Sequence, residues 1–128
     1  MHLSQTDALR AYARMMNTLD VNHIEPLLAD DFHYSSQWVF AEITSKQEFL
    51  DYIRPKLDAI RKSGAKVYAE MAVHEGWGGD PCVVTAQGSP SNLVATVLAT
   101  VDGGRITRID MGMVPAPAEA TRSGGYPA

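Results

Sequence analysis

The stretch that decides the fold runs from Leu19 to Ile53 and reads LDVNHIEPLLADDFHYSSQWVFAEITSKQEFLDYI. Its first part predicts a short helix over Ile24–Ala29. Its middle alternates apolar and polar residues, which predicts two strands, over Phe32–Ser36 and Trp38–Ile43. The stretch also carries most of the aromatic residues, so we expect it to line any pocket.

A long helix follows these two strands. Ser45 and Glu48 form a capping box, in which each side chain satisfies a free backbone N–H group, so the helix begins at Ser45. Ser63 and Gly64 end it. Its apolar positions repeat every three or four residues and predict one buried stripe. The stripe consists of Phe49, Leu50, Ile53, Leu57 and Ile60.

The rest of the chain divides into a helix before this stretch and strands after it. The first helix is predicted over Gln5–Leu19, with Ser4 as its N-cap. From Lys66 onward the apolar period changes to two, with turn residues between the apolar runs. This pattern predicts an antiparallel meander of four strands, over Val67–Glu75, Cys82–Gly88, Leu93–Val101 and Arg105–Val114. Helices followed by strands indicate an α+β fold.

Beyond Val114 the sequence is rich in proline and glycine and has no periodicity, which is typical of an extended or disordered tail. We therefore predict one domain over residues 1–114 and a tail over residues 115–128. No internal repeat and no second domain are indicated.

Composition limits the possible partners. Hydrophobic residues make up 45% of the 128 residues and charged residues 20%, as in an ordinary soluble domain. The net charge is −4 and there is no basic stripe, so neither nucleic acid nor an anionic membrane is an expected partner. No apolar run is long enough to span a bilayer, and the N-terminus turns polar too early for a signal peptide, so we expect a cytoplasmic location.

No cofactor or metal site is indicated. The four histidines have none of the spacings that metal-binding motifs show. Cys82, the single cysteine, falls in an alternating strand pattern and is expected to be a small buried side chain.

Three segments, LDVNHIEPLLADDFHY, ITSKQEFLDYI and DGGRITRIDMG, resemble the nuclear transport factor 2-like superfamily, within it most of all the ketosteroid isomerases and SnoaL-like polyketide cyclases. The resemblance implies a cone, in which a curved antiparallel sheet wraps around about three N-terminal helices and encloses an apolar pocket. It also implies a homodimer formed through the outer face of the sheet. Fold alone does not define an activity.

The ketosteroid isomerase residues do not carry over to this chain. The general-base aspartate falls on Ser36. The oxyanion-hole tyrosine falls near Met15, with Tyr12 one turn earlier, and the strand that matches Leu93–Thr100 has no acid in place of the protonated aspartate. A steroid isomerase that abstracts a proton beside a carbonyl needs both its base and its neutral acid, so this activity is excluded.

The resemblance points one set of side chains toward the pocket. These predicted ligand-binding residues are Met15, Tyr34, Ser36, Trp38, Phe40, Met111 and Met113. Asp110 is the candidate catalytic acid, since SnoaL-like cyclases use an acid from the closing strands. However, the comparison with the isomerases implies that Ile109, Met111 and Met113 face inward, so Asp110 and Arg108 would face outward, where an ion pair is favoured.

Three functions fit these residues. The first is binding of a small apolar or aromatic ligand in the pocket by a homodimer. The second is a SnoaL-like cyclase or isomerase that uses Asp110. The third is a non-enzymatic interaction module whose cone is filled by its own side chains. In the strand predicted over Cys82–Gly88, either of two sets could face outward to bind a partner. One set is Cys82, Val84 and Ala86, the other is Val83 and Thr85, and alternation does not decide between them.

Overall fold

A computed structural model describes residues 2–37, 41–75 and 78–128 of the chain. In these ranges there are two α-helices and six strands, with short 3₁₀ turns before the first strand and before the last. The helices are α1 (Gln5–Thr18) and α2 (Lys46–Ser63). The strands are β1 (Leu28–Ser36), β2 (Val67–His74), β3 (Asp80–Gln87), β4 (Leu93–Asp102), β5 (Arg105–Gly112) and β6 (Thr121–Arg122).

The strands form one curved sheet in the order β1-β5-β4-β3-β2-β6. The pairs from β5 across to β6 are antiparallel, as the hairpin turns require, which confirms the predicted meander. In contrast, β1 pairs with β5 in parallel, with Tyr34 opposite Ile109. The α+β fold is therefore confirmed, and its sheet is mixed because β1 enters beside the last long strand.

Both helices have the N-cap serine that the sequence predicts, but at α2 the second bond of the predicted capping box goes to Thr44 N instead of Ser45 N. The Ser4 hydroxyl accepts from Asp7 N at 3.0 Å, and Asp7 in return accepts from Ser4 N. At α2, the Ser45 hydroxyl accepts from Glu48 N at 3.1 Å, whereas the Glu48 carboxylate accepts from Thr44 N. Gly64 ends α2 in a left-handed conformation with φ of 73°, which glycine adopts without steric cost.

The region before β1 differs from its prediction. Instead of a helix over Ile24–Ala29, two 3₁₀ turns span Val21–His23 and Glu25–Leu27. Leu28 is already extended and begins β1, so too few residues remain for an α-helix to close its first hydrogen bonds. Of the second predicted strand, residues 38–40 lie outside the described residues, and Ile43 pairs with Tyr34 in an isolated bridge.

The core lies between the helices and the concave face of the sheet. Phe32 of β1 packs edge-to-face on Phe49 of α2, with ring centroids 5.0 Å apart. Val83 and Ile109 fill the same core from β3 and β5 and are fully buried. The inward set on β3 is thus Val83 and Thr85, which decides the alternation that the sequence leaves open.

The convex face of the sheet is covered in part by the residues after 114. Ala120 packs on a second apolar cluster formed by Ala72, Cys82 and Val84. β6 then pairs with the edge of β2, with Arg122 opposite Ala72. The segment predicted as an extended or disordered tail is therefore packed against the sheet. None of the helices in the described ranges has the length and apolarity needed to cross a membrane.

Candidate functional site

A cavity of about 390 Å³ opens between α2 and the concave face of the sheet. Five of its described lining side chains are apolar, one is a tyrosine and three are polar. The apolar ones are Met16, Ile60, Val67, Val94 and Met111, and the others are Tyr52, Lys56, Thr85 and Gln87. The space is thus an apolar chamber with a few polar groups in its wall, as small-molecule sites usually are.

Helix α2 supplies one wall because of its spacing. Tyr52, Lys56 and Ile60 are four residues apart, so they lie above one another on one face of the helix. On the sheet, a β-bulge shifts the pairing of β3 with β4 between Thr85 and Ala86. The irregular register leaves Val94 beside Thr85 in the cavity wall.

A cluster of hydroxyl groups lies against Met111 at the inner side of the cavity. The Tyr34 hydroxyl donates to Met111 Sδ at 3.5 Å, and its ring packs on that of Tyr52 with centroids 5.7 Å apart. The Tyr12 hydroxyl approaches the same sulfur at 3.9 Å. Two phenol groups, one from α1 and one from β1, therefore meet at one methionine, and Tyr52 of α2 lies beside Tyr34.

The two inner phenols are held neutral. Burial raises the pKa of Tyr12 well above its ordinary value, with a further contribution from Tyr34. Burial likewise raises the pKa of Tyr34, and the neighbouring Tyr52 adds to the effect. Both groups are thus hydrogen-bond donors and acceptors at physiological pH, and neither serves as a base there.

Lys56 brings the one charge found among the described lining residues. Its Nζ donates to the Tyr52 hydroxyl at 3.1 Å. Its side chain is half-buried, and its ammonium group forms no ion pair with a carboxylate of the described chain. The cavity wall therefore presents a cation and hydroxyl groups, and no described carboxylate.

The predicted ligand-binding residues fall into three groups. Met111 lines the cavity, and Tyr34 and Ser36 are buried directly behind it, with Ser36 opposite Met111 in the sheet. Met15 is fully buried in the core, where its neighbour Met16 takes the lining position, and Met113 is 46% exposed. The remaining two, Trp38 and Phe40, lie outside the described residues.

The candidate acid Asp110 lies on the face of the sheet opposite Met111. Its carboxylate accepts from Arg108 Nε at 3.0 and 3.1 Å. Arg108 also donates to Glu42 at 2.7 Å. This hydrogen bond is the largest cause, and the bond with His33 the second, of the lowering of the Glu42 pKa to about 2. Asp110 thus belongs to a half-exposed charge network and not to the cavity wall.

Sequence reasoning missed the α2 residues of the site. Tyr52 and Lys56 flank the buried stripe of this helix, and Ile60 was assigned to the stripe although it borders the cavity. The four-residue spacing of Tyr52, Lys56 and Ile60 is the sequence signal that could have indicated a shared helix face. Within the described part of the chain, no group of three His, Cys, Asp or Glu side chains is placed to hold a metal ion.

Solved structures share this fold. A protein of unknown function described as NTF2-like, from Cytophaga hutchinsonii, is 13% identical, with a TM-score of 0.60 over 87% of this chain and 90% of that one. A protein proposed to be a polyketide cyclase from Sinorhizobium meliloti is 17% identical, with a TM-score of 0.56 over 82% and 93%. An LEH-like epoxide hydrolase from M. tuberculosis is 19% identical, with a TM-score of 0.53 over 84% and 83%.

No protein-family model matches the sequence, and no curated protein matches it. The chain adopts the nuclear transport factor 2-like fold, as its three motif segments predict. At these identities the likeness concerns the fold alone.

Proposed function

We propose that this protein binds a small apolar or aromatic ligand in the cavity between α2 and the sheet. The observation that carries the proposal is the cavity itself, which measures about 390 Å³. This volume lies in the range of small-molecule sites, roughly 300 to 1,000 Å³. A cone filled by its own side chains would lack such a space, so the interaction-module hypothesis is less well supported.

The wall chemistry also supports binding. Met16, Val67 and Met111 offer apolar contact from one helix and two strands. Methionine side chains are flexible and polarizable, which suits them to aromatic ligands. Lys56 and the Tyr52 hydroxyl, which both line the cavity, would orient a polar group of the ligand.

An enzymatic role for Asp110 stays a prediction from the sequence. The proposed function does not use this residue, because its carboxylate pairs with Arg108 on the opposite face of the sheet. We also propose that the protein forms a homodimer, on the grounds of the sequence resemblance.

Native mass spectrometry of the purified protein tests both proposals in one measurement. We expect a dimer that carries a stoichiometric small mass, which is lost when the protein unfolds. A protein purified without ligand is instead titrated with a fluorescent apolar probe, such as a naphthalene derivative, and we expect saturable binding at one site per chain.

Filling the cavity gives the first prediction. Val94→Phe places a larger side chain in the wall, so we expect probe affinity to fall about tenfold or more, which corresponds to about 1.4 kcal/mol of binding free energy. Val73→Phe is the matched control, because Val73 is exposed and does not line the cavity. Equal affinity in both variants would contradict the proposed site.

A further inference from the structure

We propose that the cavity selects anionic ligands, namely apolar or aromatic molecules with a carboxylate that binds Lys56 and Tyr52. This inference rests on the proposed function and specifies the class of ligand. It follows from the charge of the wall, from the donors that converge there, and from what binding does to the lysine.

The wall has a positive charge without a counter-charge. Lys56 is half-buried at the cavity, and the described residues give its ammonium group no carboxylate partner. Lys62, two turns further along α2, is largely exposed and pairs with Asp58 at 2.9 Å. Lys56 is therefore half-buried and has no ion-pair partner among the described residues, whereas Lys62 is exposed and paired.

Ligand entry would remove water from this ammonium group. An uncharged ligand would leave the cation desolvated without a counter-ion, which costs free energy. An amine ligand would add repulsion to that cost. A carboxylate would instead form a charge-assisted hydrogen bond, which is about twice as strong as a neutral one.

The donors near Lys56 converge. An ammonium group has three N–H donors, and the Lys56 Nζ uses one of them on the Tyr52 hydroxyl at 3.1 Å. The Tyr52 ring in turn packs against that of Tyr34, with centroids 5.7 Å apart. Two N–H donors of Lys56 thus remain for a ligand. The Tyr52 hydroxyl, which accepts a hydrogen bond from the ammonium group, is polarised and becomes a stronger donor.

Three apolar side chains, together with Thr85 and Gln87, line the sheet side of the cavity, and Ile60 lies beside Lys56 on α2. Lys56 and Tyr52 come from α2, whereas Val67, Val94 and Met111 come from the sheet. A ligand would therefore direct its carboxylate toward α2 and its apolar body toward the strands.

The test compares three probes of one shape and different charge: 3-phenylpropanoate, 3-phenylpropanamide and 3-phenylpropylamine. Their affinities are measured by isothermal titration calorimetry at neutral pH. We expect the acid to bind at least about tenfold more tightly than the amide, in line with the strength of hydrogen bonds to charged groups, and the amine to bind most weakly.

Two variants assign the preference to the lysine. Lys56→Met retains a long apolar side chain and removes the charge, so we expect the acid to lose about tenfold in affinity while the amide keeps its own. Lys62→Met removes an exposed lysine of the same helix and should leave the affinities of all three probes unchanged. Circular dichroism and the melting temperature establish that both variants are folded.

Equal binding of acid and amide by the wild-type protein would overturn this inference and leave the proposed function intact. A preference for the acid that persists in Lys56→Met would also overturn it, because the charge would then be recognised elsewhere. Binding of none of the three probes, and of no naphthalene probe, would instead refute the proposed function together with this inference.

Discussion

At the scale of single residues, the ionisation of two tyrosines depends on their burial in the core. Tyr12 and Tyr34 are each 2% exposed, and burial raises the pKa of both phenols. The folded state favours the neutral form of both phenols. Their contribution to the free energy of unfolding is therefore fully present below the unfolded pKa of about 10, and it decreases as the pH rises above that value.

We therefore predict that two of the five tyrosines will not ionise until the protein unfolds in alkali. Phenolate absorbance followed against pH should show a step that coincides with the loss of the circular dichroism signal. Tyr12→Phe and Tyr34→Phe should each reduce the amplitude of that step. Ionisation of Tyr12 and Tyr34 while the protein is still folded would contradict the burial of this pair.

The family resemblance, combined with strand alternation, predicts the buried members of the site. The resemblance points Tyr34 and Met111 inward, and alternation along the strand then turns Asp110 outward. The cavity wall on α2 does not follow, because a residue at the flank of a buried stripe can face either solvent or a cavity. Only the distance between α2 and the sheet decides this for Tyr52 and Lys56.

At the scale of elements, the signals that are local in sequence predict best. Ser4 and Ser45 cap the N-termini of their helices, and Gly64 caps the C-terminus of α2. Each does so through hydrogen bonds or a backbone conformation within a few residues. The turn before β1 was predicted less well, because a six-residue apolar pattern is compatible with a helix, with 3₁₀ turns or with a strand. The parallel pairing of β1 with β5 depends on a contact across most of the chain, which no local pattern encodes.

The attachment of β6 to β2 depends on a buried carboxylate. The Glu70 side chain is 4% exposed and accepts from Arg122 Nε at 2.7 Å, from Gly124 N at 2.7 Å and from the Tyr126 hydroxyl at 3.1 Å. We predict that Arg122→Met lowers the free energy of unfolding by about 2 kcal/mol, because the buried charge loses its ionic partner. Urea unfolding measures this value.

Arg10→Met is the control for that prediction. Arg10 pairs with Asp7 at 3.4 Å, and both side chains are nearly half exposed. Solvent screens such a pair, so its loss should cost less than about 0.5 kcal/mol. Similar effects of the two substitutions would show that burial of Glu70 adds nothing to its bond with Arg122.

At the scale of the whole molecule, the sheet separates two apolar regions. The main core and the cavity lie on its concave face, whereas Ala72, Cys82 and Val84 form a smaller cluster on the convex face. This second cluster is completed by Ala120, which belongs to residues 115–128. Residues 115–128, which the sequence predicts as a tail, thus cover part of the sheet. They also contact α1, where Asn17 donates to Pro127 O at 2.7 Å.

Removal of residues 115–128 should therefore destabilise the domain and expose its convex face. Glu70 would lose Arg122, Gly124 N and Tyr126, so we expect the free energy of unfolding to fall by at least about 3 kcal/mol. Cys82 provides a second readout, because burial raises the pKa of its thiol to about 11 in the full chain and the truncation would uncover it. A chain that lacks only residues 127–128 loses the bond from Asn17 and should differ by less than about 1.5 kcal/mol, with Cys82 still protected. If the chain ending at residue 114 unfolds at the same urea concentration as the full chain, and its thiol reacts as slowly, then residues 1–114 are a complete domain and the cover is dispensable.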